Sequence, residues 1–200
     1  MTRIGVTGGV ATGKSTVLAA LRSLGVPTID LDEVCRELVE PGRPELERIR
    51  EAFGAEFVSG GRLERARLRE LISRDPGARR RLNAILHPPV LAEMERRLAE
   101  LEAAGEKVAA VEVALLYEGG YEGRFDVIIV AACPEEVALR RLMARSGLAR
   151  EEAERLAGAQ EPLAAKVARA GYVVDTSGEP ERVAEQVEQI LQSIVQGGRD

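Results

Sequence analysis

Residues 8–16, Gly-Gly-Val-Ala-Thr-Gly-Lys-Ser-Thr, constrain this chain more than any other stretch. A short apolar run, Ile4-Gly5-Val6-Thr7, precedes them, and a helix-forming run over 17–24 follows. From Gly8 the stretch fits the pattern G-x-x-x-x-G-K-[ST] of a phosphate-binding loop set between a strand and a helix. Gly8, Gly9 and Gly13 carry no β-carbon, so the loop can curl and turn its backbone N–H groups inward. The helix beyond brings its own free N–H groups and positive dipole end to the same place. Lys14 then reaches the β- and γ-phosphates of a nucleotide as a point charge, and the Ser15 hydroxyl can sit on Mg²⁺. The bland alternative is a glycine-rich turn that merely joins a strand to a helix.

The rest of the chain supplies the frame that such a loop needs. Strands are expected at 3–7, 26–29, 107–113, 126–132 and 172–174. Helices are expected at 14–24, 33–39, 134–144 and 180–195, with 197–200 as a frayed tail. Between the second and third strands, over 44–105, strand signals nearly vanish and amphipathic helical runs follow one another. Ser59-Gly60-Gly61 reads as a turn there, Asp75-Pro76 as a helix start and 89–104 as a long charged helix. His87 reads as a turn residue ahead of Pro88. Alternating strands and helices imply an α/β domain with a parallel sheet and right-handed crossovers. Ligands then sit at the carboxyl ends of the strands, where Thr7, Asp30 and Val113 lead out.

At 200 residues, with 45% apolar and 30% charged side chains, the chain can bury a substantial core. Its formal charge of −5 provides no basic footprint for nucleic acid. Cys35 and Cys133 are far apart and form no C-x-x-C, which fits a reduced cytoplasmic setting. No run approaches a membrane span, and no leader segment is expected ahead of the first strand. Asn83 is the only asparagine and begins no Asn-Lys-x-Asp motif, which counts against a GTPase.

Two further groups could carry chemistry. Asp30 and Asp32 follow the second strand, where one carboxylate can take a hydroxyl proton beside the γ-phosphate. Asp at either position also suits a helix N-cap, so one can cap while the other catalyses. Arg140, Arg141, Arg145, Arg150 and Arg155 crowd the segment after the fourth strand. A charge run is usually a solvated face, but phosphoryl transfer also needs cations brought in by a closing element. Arg145, just before Ser146-Gly147, is best placed for that.

Taken together, these motifs resemble the dephospho-coenzyme A kinase family over nearly the whole chain. The resemblance is carried by the loop at 8–16, by Val26-Pro27-x-Ile29-Asp30-x-Asp32 with Arg36, and by Val39-Glu40-Pro41-Gly42. It continues through Leu86-His87-Pro88, Leu115-Leu116-Tyr117-Glu118, Leu142-Met143-Ala144-Arg145 leading to Gln160, and Val174-Asp175-Thr176-Ser177-Gly178. The chain departs from the family pattern at Ala114, Tyr117, Ser146, Gly171 and Thr176.

The resemblance implies a P-loop NTPase fold with a five-stranded parallel sheet. Its core would comprise 1–43, 106–139 and 163–200, with a helical acceptor domain over 44–105 and a lid over 140–162. It implies transfer of phosphate from ATP, with Mg²⁺, to the ribose 3′-hydroxyl of dephospho-coenzyme A, by a cytoplasmic monomer. Asp32, Lys14 and Arg145 would be catalytic. Gly9, Ala11, Thr12, Gly13, Lys14, Ser15, Thr16, Arg141, Arg145 and Ser177 would hold the nucleotide, with Ser15 on the metal. Thr7, Asp32, Arg36, His87 and Leu115 would meet the acceptor. A rival within the same fold is a kinase with another acceptor; a more distant one is a nucleotide-binding protein without acceptor chemistry.

Overall fold

A computed structural model describes residues 1–197. The chain divides into two compact units, one formed by 1–29 with 101–200 and the other by 30–100.

The first unit carries the sheet. Its strands are β1 (Thr2–Gly8), β2 (Thr28–Asp30, whose last residue opens the second unit), β5 (Val108–Glu112), β6 (Val127–Ala132) and β7 (Tyr172–Asp175). They lie in the order β2-β5-β1-β6-β7, and the pairs β1–β5, β1–β6 and β6–β7 are parallel. β1 is buried from Ile4 to Gly8, because a central parallel strand has helices on both faces and no polar side to show. Helices α1 (Lys14–Ser23) and α9 (Pro180–Gly197) pack against each other. Val17, Leu18 and Leu21 meet Val183, Val187 and Ile194 in one core with Ile4 and Ile129. Two more helices, α6 (Glu135–Ser146) and α7 (Arg150–Ala157), form the arginine-rich segment. They bury Leu139, Leu142 and Ala153 together, with Val10 and Ala11 of the loop packed on that cluster.

The second unit is helical: α2 (Leu31–Leu38), α3 (Pro44–Phe53), α4 (Arg65–Arg74) and most of α5 (Pro76–Ala103). Its core joins Val39, Ile49, Phe57, Leu68, Leu82 and Leu86. Phe53 and Phe57 meet edge to face at 6.1 Å, and Arg81 and Arg67 lie over their rings. Arg97 bonds both Glu93 and Glu37. A hydrogen bond from Arg96, helped by Arg97, holds the Glu93 carboxyl down at about 2.

The structure corrects several expectations. β2 and α2 each begin away from the expected place, because Asp30 ends the strand and starts the helix at once. The expected turn at 59–61 is the tip of a small antiparallel hairpin, β3 (Val58–Ser59) with β4 (Arg62–Leu63), so the helical block does contain strands. His87 lies in no turn: α5 runs unbroken through Pro88 and Pro89 for 28 residues. Each proline withdraws a backbone donor, from the Ala84 and Ile85 carbonyls, at a cost of about 3 kcal/mol or more. Burial of Leu82 and Leu86 before the prolines, and of Met94 and Leu98 after them, holds the helix through the defect. α8 (Leu163–Arg169) was not anticipated at all. Gly197 closes α9 instead of opening the expected tail, and 198–200 lie outside the described residues.

Candidate functional site

The loop between β1 and α1 is fixed by backbone geometry. A β-carbon at Gly8 would stand 2.5 Å from the Ala131 carbonyl oxygen of β6, so no other residue fits there. Gly13 is the N-cap of α1 in the left-handed region, at φ 86°. Ala11 also has positive φ, at 56°. Thr12 is buried, and its hydroxyl donates to the Gly9 carbonyl at 3.0 Å. Lys14 Nζ folds back to the same carbonyl at 3.1 Å. Ser15 is exposed in the first turn of α1, where free N–H groups and the positive dipole end gather, and Thr16 follows it.

The loop is braced from the far end of the chain by Thr176, just beyond β7. Thr176 is 2% exposed. Its hydroxyl proton is shared between the carbonyls of Thr12, at 2.5 Å, and Ala132, at 3.1 Å. Its side chain packs on Gly13, where an added β-carbon would meet it at 3.0 Å. Arg141, half-buried on α6, donates to the Thr176 carbonyl at 2.7 Å. Ser177 turns back on Asp175, its N–H donating to Oδ1 at 2.8 Å. Hydrogen bonds from the Ser177 hydroxyl and then its backbone N–H hold the Asp175 carboxyl below its usual range.

β5 ends beside the loop. Glu112 pairs in register with Val6, two residues before Gly8, and is the only acid in a strand otherwise of Val and Ala. Glu112 was not among the residues expected at the site; a single acid at the end of an apolar strand is the sequence signal that could have found it. The Val113 N–H donates to the Val6 carbonyl at 2.9 Å. Thr7 is fully buried, with its hydroxyl turned to the Ala114 carbonyl at 3.5 Å. Leu115 stands out at 42% exposure while Leu116 and Tyr117 are buried.

The arginines divide into kinds. Arg150 is spent on Glu136 and Glu154, and Arg155 on Glu152. Those two form the solvated face that charge runs usually are. Arg141 faces the loop region through Thr176. Arg145 is exposed on the last turn of α6, which Gly147 closes in the left-handed region with its N–H on the Met143 carbonyl.

In the helical unit the two aspartates take different roles. Asp30 is the N-cap of α2 and accepts from the N–H groups of Asp32, at 2.8 Å, and Glu33, at 3.2 Å. The Asp32 carboxylate is left outside the cap and exposed. Arg36 is one turn further on, on the same face of α2. His87 is half-buried on α5, and burial lowers its pKa below the usual 6.5, so its imidazole is neutral at pH 7.

No helix among the described residues is long and apolar enough to cross a membrane. No cluster of three or more His, Cys, Asp or Glu among them could hold a metal unaided.

Known proteins place this arrangement. The family model described as CoaE, Dephospho-CoA kinase, matches residues 2–181. A dephospho-CoA kinase of Anaeromyxobacter dehalogenans is 45% identical over 98% of this chain and 93% of its own. Among solved structures, TT1252 from Thermus thermophilus superposes with a TM-score of 0.84 over 96% of both chains, at 36% identity. The dephospho-CoA kinase from Campylobacter jejuni shares the fold, with a TM-score of 0.72 over 98% of both chains at 24% identity. With its phosphate loop, its five-stranded α/β sheet and this match over most of its length, the chain belongs to the dephospho-CoA kinase family.

Proposed function

We infer that the chain transfers the γ-phosphoryl group of ATP to the ribose 3′-hydroxyl of dephospho-coenzyme A, giving coenzyme A and ADP. One observation carries this reading: the family match covers the phosphate loop and the helical unit together. Catalysis is positioning and charge neutralisation, since phosphoryl transfer asks little covalent chemistry of the protein.

The backbone of residues 9–16, with Lys14, cradles the phosphates of ATP, and the curled loop geometry supports this. Ser15 and Glu112 would hold Mg²⁺, which neutralises charge on the β- and γ-oxygens when bound. Arg141 and Ser177 contact the nucleotide away from the transferring group. Residues 140–162 act as the lid that brings Arg145 onto the phosphates. Residues 44–105 bind the acceptor, which meets Thr7, Arg36, His87 and Leu115. Asp32 takes the proton of the 3′-hydroxyl. Its exposure and the capping role already filled by Asp30 support this assignment.

Asp32→Asn tests it in an ATP turnover assay with and without dephospho-coenzyme A, with the product identified by mass. Turnover should fall by roughly 10²–10⁴. Affinity for ATP–Mg²⁺ and melting temperature should stay near those of the parent, because the cap belongs to Asp30. Full activity would remove Asp32 from the reaction. Transfer to another acceptor in place of dephospho-coenzyme A would overturn the substrate.

A further inference from the structure

Lys166 on α8 is fully buried, at 0% exposure, in a segment that carries no recognised motif. A buried ammonium is costly unless it is paired and hydrogen-bonded. Lys166 Nζ meets Glu118 Oε1 at 2.8 Å and the Ala114 carbonyl at 3.4 Å. The same Glu118 oxygen accepts the Glu161 N–H at 3.0 Å. Burial alone would raise the Glu118 carboxyl, but the hydrogen bonds and charge of Lys166 and the backbone N–H groups outweigh it and hold it low.

These contacts fall at the two ends of one short segment. Lys166 grips the carbonyl of Ala114 and the carboxylate of Glu118, and the Thr7 hydroxyl shares the Ala114 carbonyl. Leu116 and Tyr117, between the grips, are buried. A segment held at both ends, with its middle turned inward, has one side chain left to present, Leu115. An apolar pair of similar volume in place of the ion pair would serve stability as well or better. What the ion pair adds is direction, because each grip fixes one atom at one place.

We propose that Lys166 is a positioning residue that sets residues 114–118, and through them Leu115, against the acceptor. The proposal rests on the reading that Leu115 meets dephospho-coenzyme A. The test is steady-state kinetics and thermal melting of Lys166→Met, Lys166→Met/Glu118→Leu and Leu115→Ala. Lys166→Met should melt lower and raise the KM for dephospho-coenzyme A by roughly 10–100-fold, with the KM for ATP within about twofold of the parent. The double variant should regain melting temperature and keep the raised acceptor KM, which a merely structural lysine would not do. The proposal falls if the double variant regains both, or if Lys166→Met raises both KM values alike. Should Lys166→Met not fold, the double variant decides alone: a parental acceptor KM overturns the proposal and a raised one supports it. If Leu115→Ala raises the acceptor KM and Lys166→Met does not, the proposal fails and the acceptor reading stands. If Leu115→Ala leaves that KM unchanged, the acceptor reading of Leu115 fails, and the proposal with it.

Discussion

The phosphate loop and the helical unit reach order by opposite means. The loop is held by its main chain: a carbonyl that excludes any side chain at Gly8, a left-handed Gly13, and a buried threonine hydroxyl on the Thr12 carbonyl. The helical unit is held by side chains, with Ile49, Phe57, Leu68 and Leu82 packed together and arginines laid over two phenylalanine rings. A main-chain frame fixes atoms to a few tenths of an ångström but has no slack, as an anion cradle requires. A side-chain core tolerates exchanges of similar volume. The difference teaches that damage to the two regions should look different: precision is lost in one, stability in the other.

The strongest way to break this comparison is in the helical core. Ile49 is fully buried, and Ile49→Ala should destabilise the chain by about 2–5 kcal/mol. At a temperature where the variant is still folded, its KM for ATP should match that of the parent. A melting temperature that does not move, or an ATP KM that does, would contradict the division. In the loop region, Thr176→Val keeps the shape and removes the hydroxyl. It takes a donor from the Thr12 carbonyl, at about 1–3 kcal/mol, while the Ala132 carbonyl keeps the Thr176 N–H at 2.8 Å. Here the larger sign should be kinetic: a raised KM for ATP, with Thr176→Ser restoring it. Equal ATP affinity in Thr176→Val would show that the loop holds itself.

The same contrast explains what the sequence made legible. The loop could be read because each of its demands falls on a residue within nine positions of the next. The central strands β1, β5 and β6 could be read because a parallel strand buried on both faces is a continuous apolar run, and the edge strands β2 and β7 because each is a short apolar stretch that ends at an aspartate. Thr176 could not, since its partner Thr12 lies 164 residues away and nothing local marks the pair. Lys166 failed to stand out for the same reason, with Glu118 and Ala114 about fifty residues back, in the turn that follows β5. The prolines at 88 and 89 misled in the other direction. Locally they do disfavour a helix, and only the burial of leucines on either side, invisible in a single stretch of sequence, overrides them. Of the two aspartates, sequence could say that one caps and one is spare; only the hydrogen bonds to Asp30 decide which.

The smallest expected effect sharpens the comparison through pH. His87 sits in the helical unit with its pKa lowered by burial from the usual 6.5. The unfolded chain therefore takes up a proton near pH 6.5 while the folded chain still resists it. Stability linked to His87 is fully present above pH 6.5 and declines as the pH falls from there toward the folded value. The carboxylates that hydrogen bonds and charges hold low, such as Glu93 and Asp175, begin to lose their contribution only at more acid pH, so the His87 loss comes first as the pH falls. Urea unfolding at pH 7.5 and at pH 5.5 should show a modest loss for the parent chain and a smaller one for His87→Gln, which cannot titrate. The ATP KM of both should respond alike, because the imidazole and the phosphate loop belong to different compact units. An equal loss of stability in both chains would mean that His87 is as well solvated folded as unfolded. In that case the helical unit would owe none of its acid sensitivity to the one histidine in the chain.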